Sequence, residues 1–392
     1  MENIISAAGW RSTMGYLLAE YKYPTLLADA AYALGEVLKG SNKLLVTLRI
    51  TRYLIYLSIS NLIIMITPNA FHLIIKHFDE IDKRVSAKFH SARPWDEPSL
   101  TAEFCDMLDI NMQRHEKISY TLDDLNKDLR NDSGLFGMNL SIQTNQFSAI
   151  HERYMSQSDI GLQMIYENNI EPDKNVTKYF LLQAKRIFPI QGFPAIYSER
   201  SAFSSVNKEQ EDRIAVLKSW VGNGLKYLLY CPRPENLDVL VAEKLNYYRI
   251  KKLHVNIFDY IKGQEIREDL KVATSTTSAG IFVAKDIAKV RTLKEVHEKI
   301  FDDTDPFSWF IASLFLESNP HSGYLPEEFD MSEQEVIRRI LQGEPGILTE
   351  LSREFTTESR NVPNNFTIYP ATTITLRYSI GENLEAPRPI VQ

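Results

Sequence analysis

Cysteine is scarce in this chain: Cys105 and Cys231 are the only ones among 392 residues. Two such distant thiols build neither a disulfide framework nor a Cys-x-x-Cys metal site, and they fit a reducing cytoplasm. The eight histidines are scattered, and none falls at zinc-ligand spacing. No Gly-x-x-x-x-Gly-Lys-[Ser/Thr] run occurs, so no NTPase motor is evident, and Gly222-Asn223-Gly224 reads as a loop. An excess of positive charge is also missing. The net charge of -7 argues against a generally basic nucleic-acid-binding surface, though it leaves room for a local basic groove. Residues 1–24 carry acidic and polar residues early and no basic start before an apolar core, so no signal peptide is expected. Internal repeats and low-complexity segments are absent.

What is present is an ordinary globular composition, 44% hydrophobic and 24% charged, enough to bury a sizeable core. One stretch stands apart. Residues 53–75 contain no formally charged side chain and are long enough to span a bilayer. Asn61, Asn69, His72 and the break at Thr67-Pro68-Asn69 favour two buried elements meeting near Pro68 over a membrane helix, and no membrane partner is expected.

Helical spacing is expected over 22–42, with Gly40 as a stop, and over 69–89, where Phe71, Ile74, Ile75, Phe78 and Ile81 form one apolar face. The polar residues 90–99 read as a boundary. A short amphipathic helix follows over 99–110, opening after Pro98. Asn131-Asp132-Ser133-Gly134 reads as a turn. Strands are expected over 137–147, 158–167 and 177–187, then a helix over 209–222 and a strand at 225–235 ended by prolines. Beyond residue 236, helical signals (RTLKEVHEKIF, EQEVIRRILQG) precede a late strand candidate, TITLRYSI, and NLEAPRPIVQ reads as a loose terminus. The order predicts an α/β fold, a mixed central sheet flanked by helices. It divides into a mainly helical region over 1–95, a core over 96–240 and an α+β extension over 241–392.

The strand 177–187 poses a chemical question. It opens apolar and ends in Gln183, Ala184, Lys185 and Arg186, and residues two apart share one face. A hairpin centred on the loop 168–176 places Asp159 across from Lys185, with Gln183 a diagonal step away. A one-residue slip would turn Asp159 to the other face. Glu103, at the edge of the 99–110 apolar stripe, is a further candidate; its plain alternative is a helix acid paired with an arginine. Glu152 is another nearby acid. Carboxylate and carbonyl oxygens suit Mg²⁺, which activates a water and stabilises charge at phosphorus, while a lysine positions that water or neutralises charge. The chemistry indicated is phosphodiester hydrolysis.

Glu103 on a helix, Ser158-Asp159 opening a strand and Gln183-Ala184-Lys185 closing the next resemble the PD-(D/E)xK nuclease superfamily. The likeness is to its Gln-x-Lys variants among prokaryotic restriction and phage-defence nucleases, and it covers about 99–231. It implies a restriction-endonuclease-like fold and Mg²⁺-dependent (or Mn²⁺-dependent) cleavage of DNA, less often RNA. On this match Asp159 is the principal metal ligand, Gln183 the second through its carbonyl, Lys185 the catalytic lysine and Glu103 the helix acid, with Glu152 a lesser metal candidate. Ser158 replaces proline and Gln183 replaces an acid, which removes one negative charge from the site. Arg186, Gln210, Lys251 and Lys252 are candidates for contact with nucleic acid; the stretch 244–252 interleaves Tyr247 and Tyr248 with basic residues. Nicking one strand per site would call for a homodimer to cut both, and a defence-system partner is a further expectation. The rival classes are a catalytically inactive nuclease-like scaffold that binds nucleic acid or a partner protein, and an effector anchored through 53–75.

Overall fold

The computed structural model describes residues 68–91, 94–114, 117–133, 137–146, 159–169, 172, 175–203, 208–256, 278–317, 331–344, 346–347, 370 and 372–381. Two units divide the chain, Met1–Ile64 and Met65–Gln392, and the description concerns the second. The expected helix over 22–42, the first part of the 53–75 run and the terminal NLEAPRPIVQ lie outside the described residues. Among the described residues no helix is long and apolar enough to cross a membrane.

The run's final residues open helix α1 (Pro68–Ser86), which continues into a 3₁₀ turn, Ala87–His90. Its predicted apolar face is buried, at Phe71, Ile74, Ile75, Phe78 and Ile81. The next helix, α2 (Glu97–Leu108), begins two residues earlier than the sequence suggests. Asp96 is the cap, accepting the Ser99 amide, and Pro98 sits in the first turn, where its missing N–H costs nothing. Helix α3 (Leu122–Ser133) is a correction: Asn131–Ser133 end a helix. Thr121 and Asp124 cap each other reciprocally, Asp124 accepting the Thr121 amide while the Thr121 hydroxyl accepts the Asp124 amide.

Strands β1 (Met138–Gln146), β2 (Ile160–Asn168) and β3 (Val176–Arg186) follow, then a small exposed hairpin of β4 (Gln191–Gly192) and β5 (Ala195–Ile196). Helix α4 (Lys208–Val221) leads to β6 (Leu225–Tyr230), and α5 spans Val239–Asn256. Strand β7 (Ile281–Ala284), helix α6 (Leu293–Glu298), strand β8 (Thr304–Pro306), helices α7 (Phe307–Glu317) and α8 (Met331–Leu341) and strand β9 (Thr372–Ile380) complete the unit. Seven strands form one mixed sheet in the order β1-β9-β2-β3-β6-β7-β8. The residues beyond 240 thus complete the sheet from within: β9 runs parallel to β2 and separates it from β1, while β7 and β8 extend the far edge.

Centrality explains β3. From Phe180 to Lys185 every residue is buried, because neighbours hydrogen-bond on both sides and helices cover both faces. On one face Phe180 meets Phe310 of α7 edge-on, with centroids 5.3 Å apart. On that side Phe104 of α2 packs against Phe307 at 4.9 Å and Tyr230 at 6.3 Å. On the other face α8 lies close: a Cβ at Gly161 would run into the Leu341 and Pro370 side chains. Helix α8 is also pinned by Gln334, whose amide accepts the Tyr179 N–H and donates to the Tyr179 carbonyl, extending β3's ladder where β6 has not yet begun.

Candidate functional site

The β2–β3 register sets the geometry. Ile160 pairs with Leu182, and the Asp159 amide donates to the Leu182 carbonyl at 2.9 Å, so Asp159 stands opposite Gln183 rather than Lys185. The shift from the symmetric-loop expectation is two residues. Parity is therefore unchanged, and Asp159, Gln183 and Lys185 share one face. Asp159 Oδ2 accepts from the Gln183 side-chain amide at 2.6 Å and from the Ala184 backbone amide at 2.7 Å. The carboxylate thus stands in for the next ladder acceptor where β2 starts.

The helix acid of this group is Glu97, not Glu103. Glu97 Oε1 lies 3.9 Å from Lys185 Nζ, and Oε2 accepts the Arg186 backbone amide at 3.1 Å. Burial pushes the Glu97 carboxyl above its usual range, with Lys185 and the Arg186 amide pulling the other way. Glu103 turns to α1 and the 3₁₀ turn, pairing with Arg84 at 3.1 Å and Lys88 at 3.2 Å. Six residues on a helix leave the two acids pointing roughly two-thirds of a turn apart. The sequence did carry a signal for Glu97. Asp96-Glu97-Pro98-Ser99 is a capped first turn, and acids favour a helix N-terminus.

Gln183 and Lys185 are each 4% exposed, so the group is a buried polar cluster at the end of a central strand. Unpaired, it would be costly; its hydrogen bonds and the Glu97–Lys185 pair offset that cost. Cys105 lies on the buried face of α2, its thiol pushed up to about 12 by burial, and Tyr230 lies beneath the helix, also raised well above normal by burial. Both stay protonated near neutral pH and serve as packing rather than as nucleophiles.

Arg186 has the opposite parity; its Nη1 donates to the Trp95 carbonyl at 2.6 Å and its guanidinium lies 4.5 Å from the centre of the Phe188 ring. Lys251 is exposed on α5, which packs against α6 rather than β3. Gln210 and Lys252 fall within α4 and α5, but their side chains are outside the described set, as is the whole of Glu152.

Hard oxygen donors are what the cluster offers a metal: the Asp159 and Glu97 carboxylates and the Gln183 side-chain carbonyl, which suit Mg²⁺. Desolvated Glu97, its carboxyl pushed up by burial, is an acid that additional positive charge would stabilise. Among the described residues no group of three or more His, Cys, Asp or Glu could hold a metal ion, so a metal would depend on Gln183, water and substrate oxygens. No family model matches the sequence, and comparison with curated proteins and with solved structures gives no match to either.

Proposed function

We propose that the chain is a metal-dependent nuclease of the restriction-endonuclease-like type, hydrolysing phosphodiester bonds, foremost in DNA. One observation carries the reading. Asp159 and Gln183 meet at 2.6 Å across adjacent strands, with Lys185 two residues on and Glu97 brought to it by a separate helix. The order α2, α3, β1, β2, β3, β4, β5, α4, β6, with β3 and β6 parallel, supports it. Asp159, the Gln183 carbonyl and Glu97 are the residues that would hold Mg²⁺, which supplies an activated water and charge neutralisation at phosphorus when bound. Lys185, held by Glu97, would orient that water and donate to a non-bridging phosphate oxygen. Asp159 keeps β3 in place through the Ala184 amide, so ligand and lysine move as one rigid piece.

A second reading, an inactive scaffold of the same shape, is favoured by one specific feature. The Gln183 amide is turned so that its nitrogen faces Asp159, which leaves the cluster internally satisfied. The two separate by experiment. Purified protein is incubated with plasmid, linear DNA and RNA, with and without Mg²⁺, beside Asp159→Ala and Lys185→Ala. Mg²⁺-dependent cleavage lost in both variants is expected; cleavage that survives both overturns the site, and none on any substrate favours the scaffold.

A further inference from the structure

Among the described residues the seven-stranded sheet ends in β8 on one side and β1 on the other, and the two edges are built differently. Strand β8 is three residues long, carries Asp305 and closes on Pro306, all features that discourage a further strand. Strand β1 is nine residues long and contains neither a charged residue nor a proline. Among the described residues its outer side is closed only near its start. There the Asn126 side chain of α3 donates to the Leu140 carbonyl at 2.9 Å and accepts the Leu140 amide at 2.8 Å, standing in for a neighbouring strand.

Those two bonds fix which way the rest of the strand points. In an antiparallel ladder alternate residues direct both backbone groups to the same side. With Leu140 turned outward, Ile142, Thr144 and Gln146 turn outward too, while Asn139, Ser141, Gln143 and Asn145 face β9. Among the described residues the outward amides and carbonyls of Ile142, Thr144 and Gln146 meet no partner. An uncharged run of this kind is open to strand addition.

We propose that residues 142–146 pair antiparallel with the same residues of a second copy of the chain, joining the two sheets about a two-fold axis at Thr144. The register sets Thr144 opposite Thr144, Ile142 opposite Gln146 and Gln143 opposite Asn145. Side-chain chemistry selects a second copy as the occupant. Gln143 and Asn145 fall in the close, non-hydrogen-bonded pairs of the new ladder, where each amide can both donate and accept. No position in the run brings a charge against its own copy. The Asn126 cap limits the pairing, because at Leu140 the edge is already occupied. The interface also has a fixed place relative to the candidate site. Gln146, Thr372, Ile160 and Leu182 lie in one row across the sheet, so β2 with its Asp159 stands two strands in from the shared edge, roughly 10 Å. An axis normal to the sheet leaves both copies' Asp159, Gln183 and Lys185 on one face. The assembly stands apart from the nuclease reading, whereas its consequence, cutting of both duplex strands by one dimer, rests on that reading.

The test measures the mass of the full chain by sedimentation and light scattering over a wide concentration range, and a dimer is expected. Gln143→Lys with Asn145→Lys sets like charges opposite each other at both symmetric pairs and weakens the dimer about tenfold or more. Gln143→Lys with Asn145→Glu sets opposite charges in the same register and stays dimeric. Thr375 and Thr373, their partners on β9, are neutral, so circular dichroism and melting of both variants match the unmodified chain. A chain that is monomeric at every concentration overturns the proposal. So does a dimer that the paired lysines leave intact, or one that the lysine–glutamate pair breaks equally. With supercoiled plasmid and Mg²⁺, the dimer linearises and the paired-lysine monomer only nicks. A dimer that follows both variants but cuts nothing sinks the nuclease reading and leaves the interface, whereas a monomeric chain that linearises plasmid sinks the interface alone.

Discussion

Glu97 Oε1 stands 3.9 Å from Lys185 Nζ, a loose ion pair between the first turn of a helix and the last residues of a central strand. Its length matters, since a pair at this distance holds the lysine in place without consuming all of its donors. Substituting Glu97→Gln keeps the shape and removes the charge. Under the proposed activity, cleavage falls roughly 10–100-fold, the usual cost of losing a group that orients a metal or catalytic ligand. Glu103→Gln, by contrast, leaves the rate within about twofold and costs at most about 1 kcal/mol of a partly exposed ion pair. Initial rates at saturating Mg²⁺ compare them; equal losses would return the helix-acid role to Glu103.

Gln183→Glu sets two carboxylates side by side where an amide now donates to Asp159. In chelator the like charges repel, and stability drops by roughly 1–3 kcal/mol, equivalent to one or two pKa units of frustrated ionisation. Millimolar Mg²⁺ restores it if the cluster binds metal. Thermal melts with EDTA and with Mg²⁺ read the difference directly. A variant equally unstable in both would mean that this cluster does not hold the ion.

Acid sensitivity follows from buried histidine. His77 is fully buried, its Nδ1 3.0 Å from the Tyr120 carbonyl, and burial lowers its pKa from 6.5 to about 4. Between those values the unfolded chain binds the proton and the folded one does not. Stability is therefore fully present above pH 6.5 and is lost as pH falls toward 4, by about 3 kcal/mol at full extent. His297, also buried and lowered further by Arg249, acts in the same direction. Asn in place of His77 keeps a donor for Tyr120 and removes the titration. Urea unfolding at pH 7.5 and 4.5 should then show a smaller acid loss than in the unmodified chain, with the His297 share remaining.

Arg233, 1% exposed, donates to Asp79 at 2.8 Å and to Asp82 at 2.9 Å, while Asp82 accepts the Gly280 and Ile281 amides that start β7. Arg233→Met leaves buried Asp82 without its cation and Asp79 with Lys83 alone, and costs about 3–5 kcal/mol. Adding Asp79→Asn recovers part of that loss. Denaturant midpoints of the single and double variants decide it; strict additivity would show that the arginine and Asp79 act independently.

How much of this was legible beforehand differs by element. Apolar spacing located α1, α4, α6 and α8, and alternation located β2, because both are local patterns. The α3 cap is written in Thr121 and Asp124, while the turn-like Asn131-Asp132-Ser133-Gly134 that closes the same segment pointed away from a helix. The two-residue register shift was beyond reach, since loop 169–175 need not be symmetric; parity survived because an even shift preserves the face.

Strand-forming composition and the shared face of Gln183 and Lys185 were determined by sequence alone, since a period of two residues is a property of the backbone; the loop between β2 and β3 decided which of them Asp159 faces. Long-range packing decided the rest. Inserting β9 between β1 and β2, burying Arg233 among acids over 150 residues distant, and choosing Glu97 over Glu103 all depend on which surfaces α2 and the late strands meet. A helix presents several faces with similar polar residues, and only contact with the strand end selects one. That selection is a property of the folded whole, set by shape and desolvation and not by any local pattern.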